Sequence, residues 1–177
     1  MIIKNTQLEG VLIISPEPSA AAKEYFSDER GSFLEEYNEQ KFKKNGIDVR
    51  FIEDDISLSK KDVLRGIHVS FNTWKLISCL KGKAFYVVVN CLKESKNFGK
   101  WESFELSDSN HYSILVPPMY GSSYFAVTDI MIHYKQSAYY NPTDQFTYRW
   151  DEPKFGIKWP ANKPILSPRD ASAEFIK

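Results

Sequence analysis

Short apolar runs, many of them alternating with polar residues, recur along the chain: VLIIS, GSFLEEY, VRFIEDDISLS, WKLISCL, KAFYVVVNCL, KWESFELS, YSILVPP, SSYFAV and IMIHYKQSAYY. In the central part they return about every 8 to 12 residues, with turn-forming Gly, Asn, Asp and Ser between them, which is the pattern of a β-sandwich or barrel. The sequence therefore predicts a mainly β protein. CLKGKAF reads as a hairpin with Gly82 at its turn, and LSDSNHY as a polar turn. Only EQKFKKNG, after Tyr37, has a helical pattern, closed by Asn45-Gly46. From Thr143 onward the segment DQFTYRWDEPKFGIKWP is rich in Trp, Pro and Asp and predicts an irregular stretch packed by its own aromatics. No repeat divides the chain, and residues 1–177 are read as one domain.

One segment departs from simple alternation. In DVLRGIHV, Arg65 and His68 stand three residues apart in an apolar run. A regular strand sends them to opposite faces, so one of the two ought to lie on the buried side. Gly66 between them permits a local bend.

Composition narrows the function classes. Lys plus Arg and Asp plus Glu both total 23, for a formal net charge of zero, so no whole-chain field attracts nucleic acid or an anionic membrane. An anionic ligand must be caught by a local cluster. The start of the chain, MIIKNTQLEGVLIIS, breaks its apolar pieces with Asn5, Thr6, Gln7 and Glu9, and matches neither a secretory signal nor a membrane span. The expectation is a soluble, cytoplasmic protein. Cys79 and Cys91 lie in apolar runs without CxxC spacing and are read as buried free thiols.

Six segments in order, DERGSFLEEYNEQKF, VLRGIHV, KLISCLKGKAFYVVVNCLKESKNFGKWESFELS, YKQSAYYNP, WDEPKFGIKWP and LSPRDA, resemble the dTDP-4-dehydrorhamnose 3,5-epimerase family over roughly residues 8 to 172. The resemblance implies a double-stranded β-helix jelly roll of the cupin type. It also implies a homodimer and a cofactor-free epimerase acting on a nucleotide-linked 4-keto-6-deoxy sugar.

Inverting a carbon next to a ketone requires removal of a C–H proton, stabilisation of the enolate, and return of a proton to the opposite face. His68 matches the family's catalytic histidine, and an imidazole can accept a proton at cellular pH. Asp170 matches its carboxylate partner, which orients the ring and stabilises the imidazolium. Tyr134 matches the tyrosine on the other side of the sugar, and Lys75 the lysine near the C4 carbonyl, where a cation would stabilise the enolate. Arg65 is expected to supply positive charge either to the same oxyanion or to the pyrophosphate. Arg30 resembles a pyrophosphate ligand presented across the dimer interface, while Glu35 and Tyr139 occupy positions that contact or stack on the base in relatives.

The chain also departs from the family pattern. PPMYGSSYF stands where PEGFAHGF is typical, so Ser122 replaces a second histidine, and Glu53-Asp54-Asp55-Ile56-Ser57 replaces QDNHS. These departures, with DQFTYRW, resemble a branch that epimerises GDP-linked 4-keto-heptoses for capsule synthesis, and lean the expectation toward GDP rather than dTDP. Two other classes compete. A metal-dependent cupin needs clustered His and carboxylate ligands, which His111 and His133 do not supply around His68. A non-catalytic sugar-nucleotide-binding relative has no use for His68, Lys75, Tyr134 and Asp170 together.

Overall fold

Residues 1–17, 24–161 and 163–176 are described by the computed structural model. Its strands, in chain order, are β1 (Ile2–Asn5), β2 (Leu12–Ser15), β3 (Tyr25–Asp28), β4 (Gly31–Leu34), β5 (Glu53–Ser59), β6 (Leu64–Ser70) and β7 (Lys75–Lys81). They continue with β8 (Lys83–Asn90), β9 (Trp101–Ser107), β10 (Ser113–Val116), β11 (Tyr120–Ala126), β12 (Ile130–Gln136) and β13 (Gln145–Thr147). Two short helices complete the chain, α1 (Glu39–Lys44) and α2 (Pro168–Ala171). A six-stranded sheet ordered β1-β2-β10-β7-β12-β5 faces a five-stranded sheet ordered β13-β6-β11-β8-β9, and β3 pairs only with β4. This is the predicted mainly β fold, with strands dealt alternately to two sheets as in a jelly roll.

That dealing corrects the reading of CLKGKAF. β7 pairs with β10 and β12, whereas β8 pairs with β11 and β9, so Gly82 carries the chain from one sheet to the other instead of closing a hairpin. Its φ of +77° and the backbone oxygen of Asp129, which would lie 2.2 Å from an added Cβ, explain the glycine. A tight turn looks alike locally in both situations, and only the long-range pairing separates them.

Three apolar layers follow from the sheets. Between them Ile77, Tyr86, Val88, Leu106, Ile114, Tyr124 and Ile132 form the central core. On the outer face of the five-stranded sheet, Val87 and Val89 meet Phe146, Tyr148, Phe155 and Trp159 of the C-terminal segment. The uninterrupted valines of KAFYVVVN are thus explained by burial on both faces. The aromatics of the tail pack as expected, Tyr148 against Phe155 with ring centroids 5.4 Å apart. Its first residues, however, add strand β13 to the edge of β6. On the outer face of the six-stranded sheet, Phe42 of α1 packs with Ile14, Ile47, Leu76 and Leu115. Helix α1 begins where the Asn38 side chain accepts from the Lys41 backbone N–H and ends at Asn45, followed by Gly46 at φ +82°. Both cysteines are buried and free, and burial pushes the Cys79 thiol up to about 11. Among the described residues no helix is long and apolar enough to cross a membrane.

Candidate active site

The irregularity of DVLRGIHV has a structural cause. On β11, Ser122 lies opposite His68 and Tyr124 opposite Arg65, so two steps along β11 answer three along β6. The extra residue is a bulge, and it cancels the alternation that should have parted Arg65 from His68: both line one cavity. Gly66 makes this possible at φ +123°. A side chain there would cost about 1–3 kcal/mol in backbone strain, and its Cβ would also sit 2.6 Å from the Ser123 side chain and 2.7 Å from the Ser122 carbonyl oxygen. The Ser123 hydroxyl secures the bulge by donating to the Arg65 carbonyl at 2.7 Å.

Behind β6, helix α2 delivers Asp170. Ser167 caps the helix, its hydroxyl oxygen accepting from the Asp170 backbone N–H at 3.1 Å, and Pro168 occupies the first turn. The Asp170 side chain, 2% exposed, has one carboxylate oxygen 2.7 Å from His68 Nε2 and the other accepting from the Ser167 hydroxyl at 2.9 Å. Burial alone would raise this carboxyl, but the hydrogen bonds from His68, Ser167 and the Gly66 backbone outweigh it and hold it below the usual carboxylate range. An ionised Asp170 accepts, so Nε2 carries the imidazole proton and Nδ1 is left as the basic nitrogen.

The opposite wall comes from the six-stranded sheet. Tyr134 on β12 and Lys75 on β7 both line the same cavity. Burial, with the neighbouring Tyr124 and Tyr86 phenols, pushes the Tyr134 hydroxyl well above its ordinary value, while Arg65 pulls the other way. Tyr134 is therefore a neutral O–H donor. Burial and Arg169 lower Lys75 to about 8, partly countered by Asp55 and Asp144, and Lys75 makes no ion pair among the described residues. Arg65 is steadied by donating to the Ser59 hydroxyl at 3.1 Å, and Ser59 in turn bonds the Tyr124 hydroxyl at 2.9 Å.

The cavity has a volume of about 250 Å³ and gathers His68, Arg65, Lys75, Ser122 and Tyr134, with Asp170 behind His68. Three other predicted residues lie elsewhere. Tyr139, 72% exposed, borders an adjoining groove that shares Lys75, Gln136 and Tyr140 with the cavity. Arg30 projects from the β3–β4 turn, 82% exposed, and pairs with Asp28 at 2.5 Å, because that hairpin joins neither sheet of its own chain. Glu35 lines a different cavity and is held there by Lys41 at 2.6 Å. The cavity also contains residues that the sequence reading passed over, chiefly Arg169, Gln136, Tyr86 and Tyr124. Arg169 adjoins Asp170 in LSPRDA, so the motif itself carried that signal. Among the described residues no group of three or more His, Cys, Asp or Glu is placed to hold a metal ion.

Comparison with known proteins agrees over nearly the whole chain. The sequence model described as dTDP-4-dehydrorhamnose 3,5-epimerase matches residues 5–177. The chain belongs to this family. A dTDP-4-dehydrorhamnose 3,5-epimerase of Methanothermobacter thermautotrophicus is 36% identical over 93% of the chain and 89% of the relative. That of Salmonella typhimurium is 35% identical over 99% and 96%. The Legionella pneumophila epimerase solved with dTDP-4-keto-L-rhamnose superposes with a TM-score of 0.89 at 32% identity, covering 98% of this chain and 92% of that one. A 4-keto-6-deoxy sugar epimerase from the novobiocin cluster of Streptomyces spheroides gives 0.90 at 30%, over 99% and 87%. The protein is thus an isomerase, an epimerase of sugar nucleotides with the cupin-type jelly roll of its family.

Proposed function

We propose that the chain inverts C3 and C5 of a dTDP-linked 4-keto-6-deoxyhexose by enolate chemistry. The observation that carries the reading is the meeting, in one cavity, of the His68–Asp170 pair from one sheet with Tyr134 and Lys75 from the other. His68 removes the proton next to the ketone, and Asp170 stabilises the imidazolium that results. Lys75 faces the developing enolate oxygen, and Tyr134 returns a proton from the opposite side. Arg65 and Arg169 give the same cavity the positive charge that a pyrophosphate needs.

The reading includes a homodimer. The β3–β4 hairpin exposes Phe26 and Phe33, and edge strand β5 exposes Ile56 and Leu58, an apolar surface suited to a second copy. In such a dimer Arg30 reaches the partner's pyrophosphate site, and Tyr139 is the base-stacking candidate at the rim. Glu35, occupied by Lys41, is left out.

The sequence departures leaned toward a GDP-linked heptose, whereas the relatives named above are dTDP-sugar or 4-keto-6-deoxy sugar epimerases, and this moves the main reading to dTDP. One observation still favours the GDP reading. Asp55 on the cavity wall and Glu53 beside it clamp Gln136, whose amide donates to them at 2.6 and 2.8 Å. Carboxylates there suit the paired N–H donors of guanine better than thymine, which offers one N–H between two carbonyls. Incubation in D2O with dTDP- and GDP-linked 4-keto sugars tests both readings. Deuterium entering C3 and C5 of the dTDP-hexose is the expected result, exchange confined to GDP sugars selects the second reading, and exchange into neither overturns the epimerase assignment.

A further inference from the structure

Tyr86 is among the residues that line the cavity, and its hydroxyl, enclosed in the free protein, finds no hydrogen-bond partner among the described residues. Its neighbour Ser122 is close enough to favour ionisation slightly but offers no bond of ordinary geometry. Buried phenols are normally paired. The contrast with the adjacent strand is direct: Tyr124, opposite Tyr86 in register, has its hydroxyl bonded to Ser57 at 3.0 Å and to Ser59 at 2.9 Å. The Tyr86 ring is locked in the central core, 1% exposed, so the hydroxyl cannot swing out to solvent. A donor held in this way points to a ligand acceptor.

We propose that Tyr86, with Ser122 beside it, binds an uncharged oxygen of the sugar and thereby helps set which sugar is accepted. The chemistry of the surroundings selects the class of acceptor. Burial pushes the phenol far above its ordinary value, so Tyr86 is a neutral donor at any working pH. Its neighbours Ser122 and Tyr124 are uncharged, whereas Arg65, Lys75 and Arg169, also on the cavity, supply the cations an anionic group would seek. A sugar hydroxyl or carbonyl fits the first environment and the pyrophosphate fits the second. Tyr86 lies within the family-like segment KLISCLKGKAFYVVVNCL, but in its apolar run FYVVV, where it reads as core.

This inference rests on the epimerase reading, and Tyr86→Phe tests it by removing one oxygen while keeping the packed ring. Because the hydroxyl has no partner in the free protein, the ligand-free melting temperature should stay the same or rise. Affinity for dTDP or GDP alone should not change. The KM for the nucleotide-linked 4-keto sugar should rise, or kcat/KM fall, by about tenfold, the worth of one hydrogen bond. Unchanged turnover of the sugar nucleotide, a lowered ligand-free melting temperature, or weakened binding of the bare nucleotide would each overturn the assignment. A parent protein inactive on every 4-keto sugar would instead overturn the epimerase reading, and this inference with it.

Discussion

The two sheets equip the cavity in opposite ways. On the five-stranded wall His68 sits in a strand broken by a bulge, and its ring is tied from outside to an ionised carboxylate on α2. On the six-stranded wall Tyr134 sits in the part of β12 that pairs regularly with both β5 and β7, and its phenol is kept neutral by burial among other tyrosines. A neutral imidazole that accepts a proton ends the step positively charged, so an anion fixed beside it stabilises the product. A phenol that donates a proton has to begin neutral, and burial keeps it so. The two walls thus suit the two half-reactions proposed for them.

The largest effect should follow from breaking the polar wall. His68→Asn keeps a polar side chain but removes the base, and deuterium uptake next to the ketone should fall by at least about 10²-fold. Near-normal exchange in a folded variant would place the base elsewhere. Tyr134→Phe addresses the dry wall and should separate two events that His68→Asn abolishes together. Inversion should fall by about 10²-fold, while exchange persists with configuration retained, because His68 still forms the enolate and reprotonates it from its own side. Both are read by NMR in one D2O sample over time. Epimer formed at the parental rate would reduce Tyr134 to a packing residue.

The same contrast explains what the sequence disclosed. Alternating segments marked nine strands, but β1 and β3, four residues each and largely exposed, offer little apolar pattern to detect. The three residues of β13 sit in a stretch whose aromatics read as irregular packing. His68 and Asp170 are 102 residues apart, and nothing local joins them; only the family resemblance did. The irregular wall still left a trace, since a basic residue on each face of DVLRGIHV with a glycine between them is hard to reconcile with a plain strand. Tyr86 left none, because one hydroxyl in FYVVV cannot be told from core until the strand opposite is seen to leave it unpaired. Arg30 illustrates a different limit, as its hairpin joins neither sheet of its own chain and the pyrophosphate role proposed for it requires a second copy.

The smallest predicted effect concerns Lys75, which shares its wall with Tyr134 but must be charged to act. Burial and Arg169 lower it to about 8 from an ordinary 10.5, so it is a cation at neutral pH and loses its proton as the pH rises through 8. Since kcat/KM reports the free enzyme, it should fall by about tenfold per unit above that point. The limb in kcat should lie higher, because a bound pyrophosphate favours the charged lysine. Stability should move the other way. Between pH 8 and 10.5 the unfolded chain holds the Lys75 proton that the folded chain has released, so the contribution of this group to stability rises with pH. Lys75→Arg provides the control: a guanidinium stays charged throughout, so whatever its absolute rate, the variant should lose the limb near 8. If the limb survives in Lys75→Arg, another group sets it, and the enolate finds its cation in Arg65 or Arg169 instead.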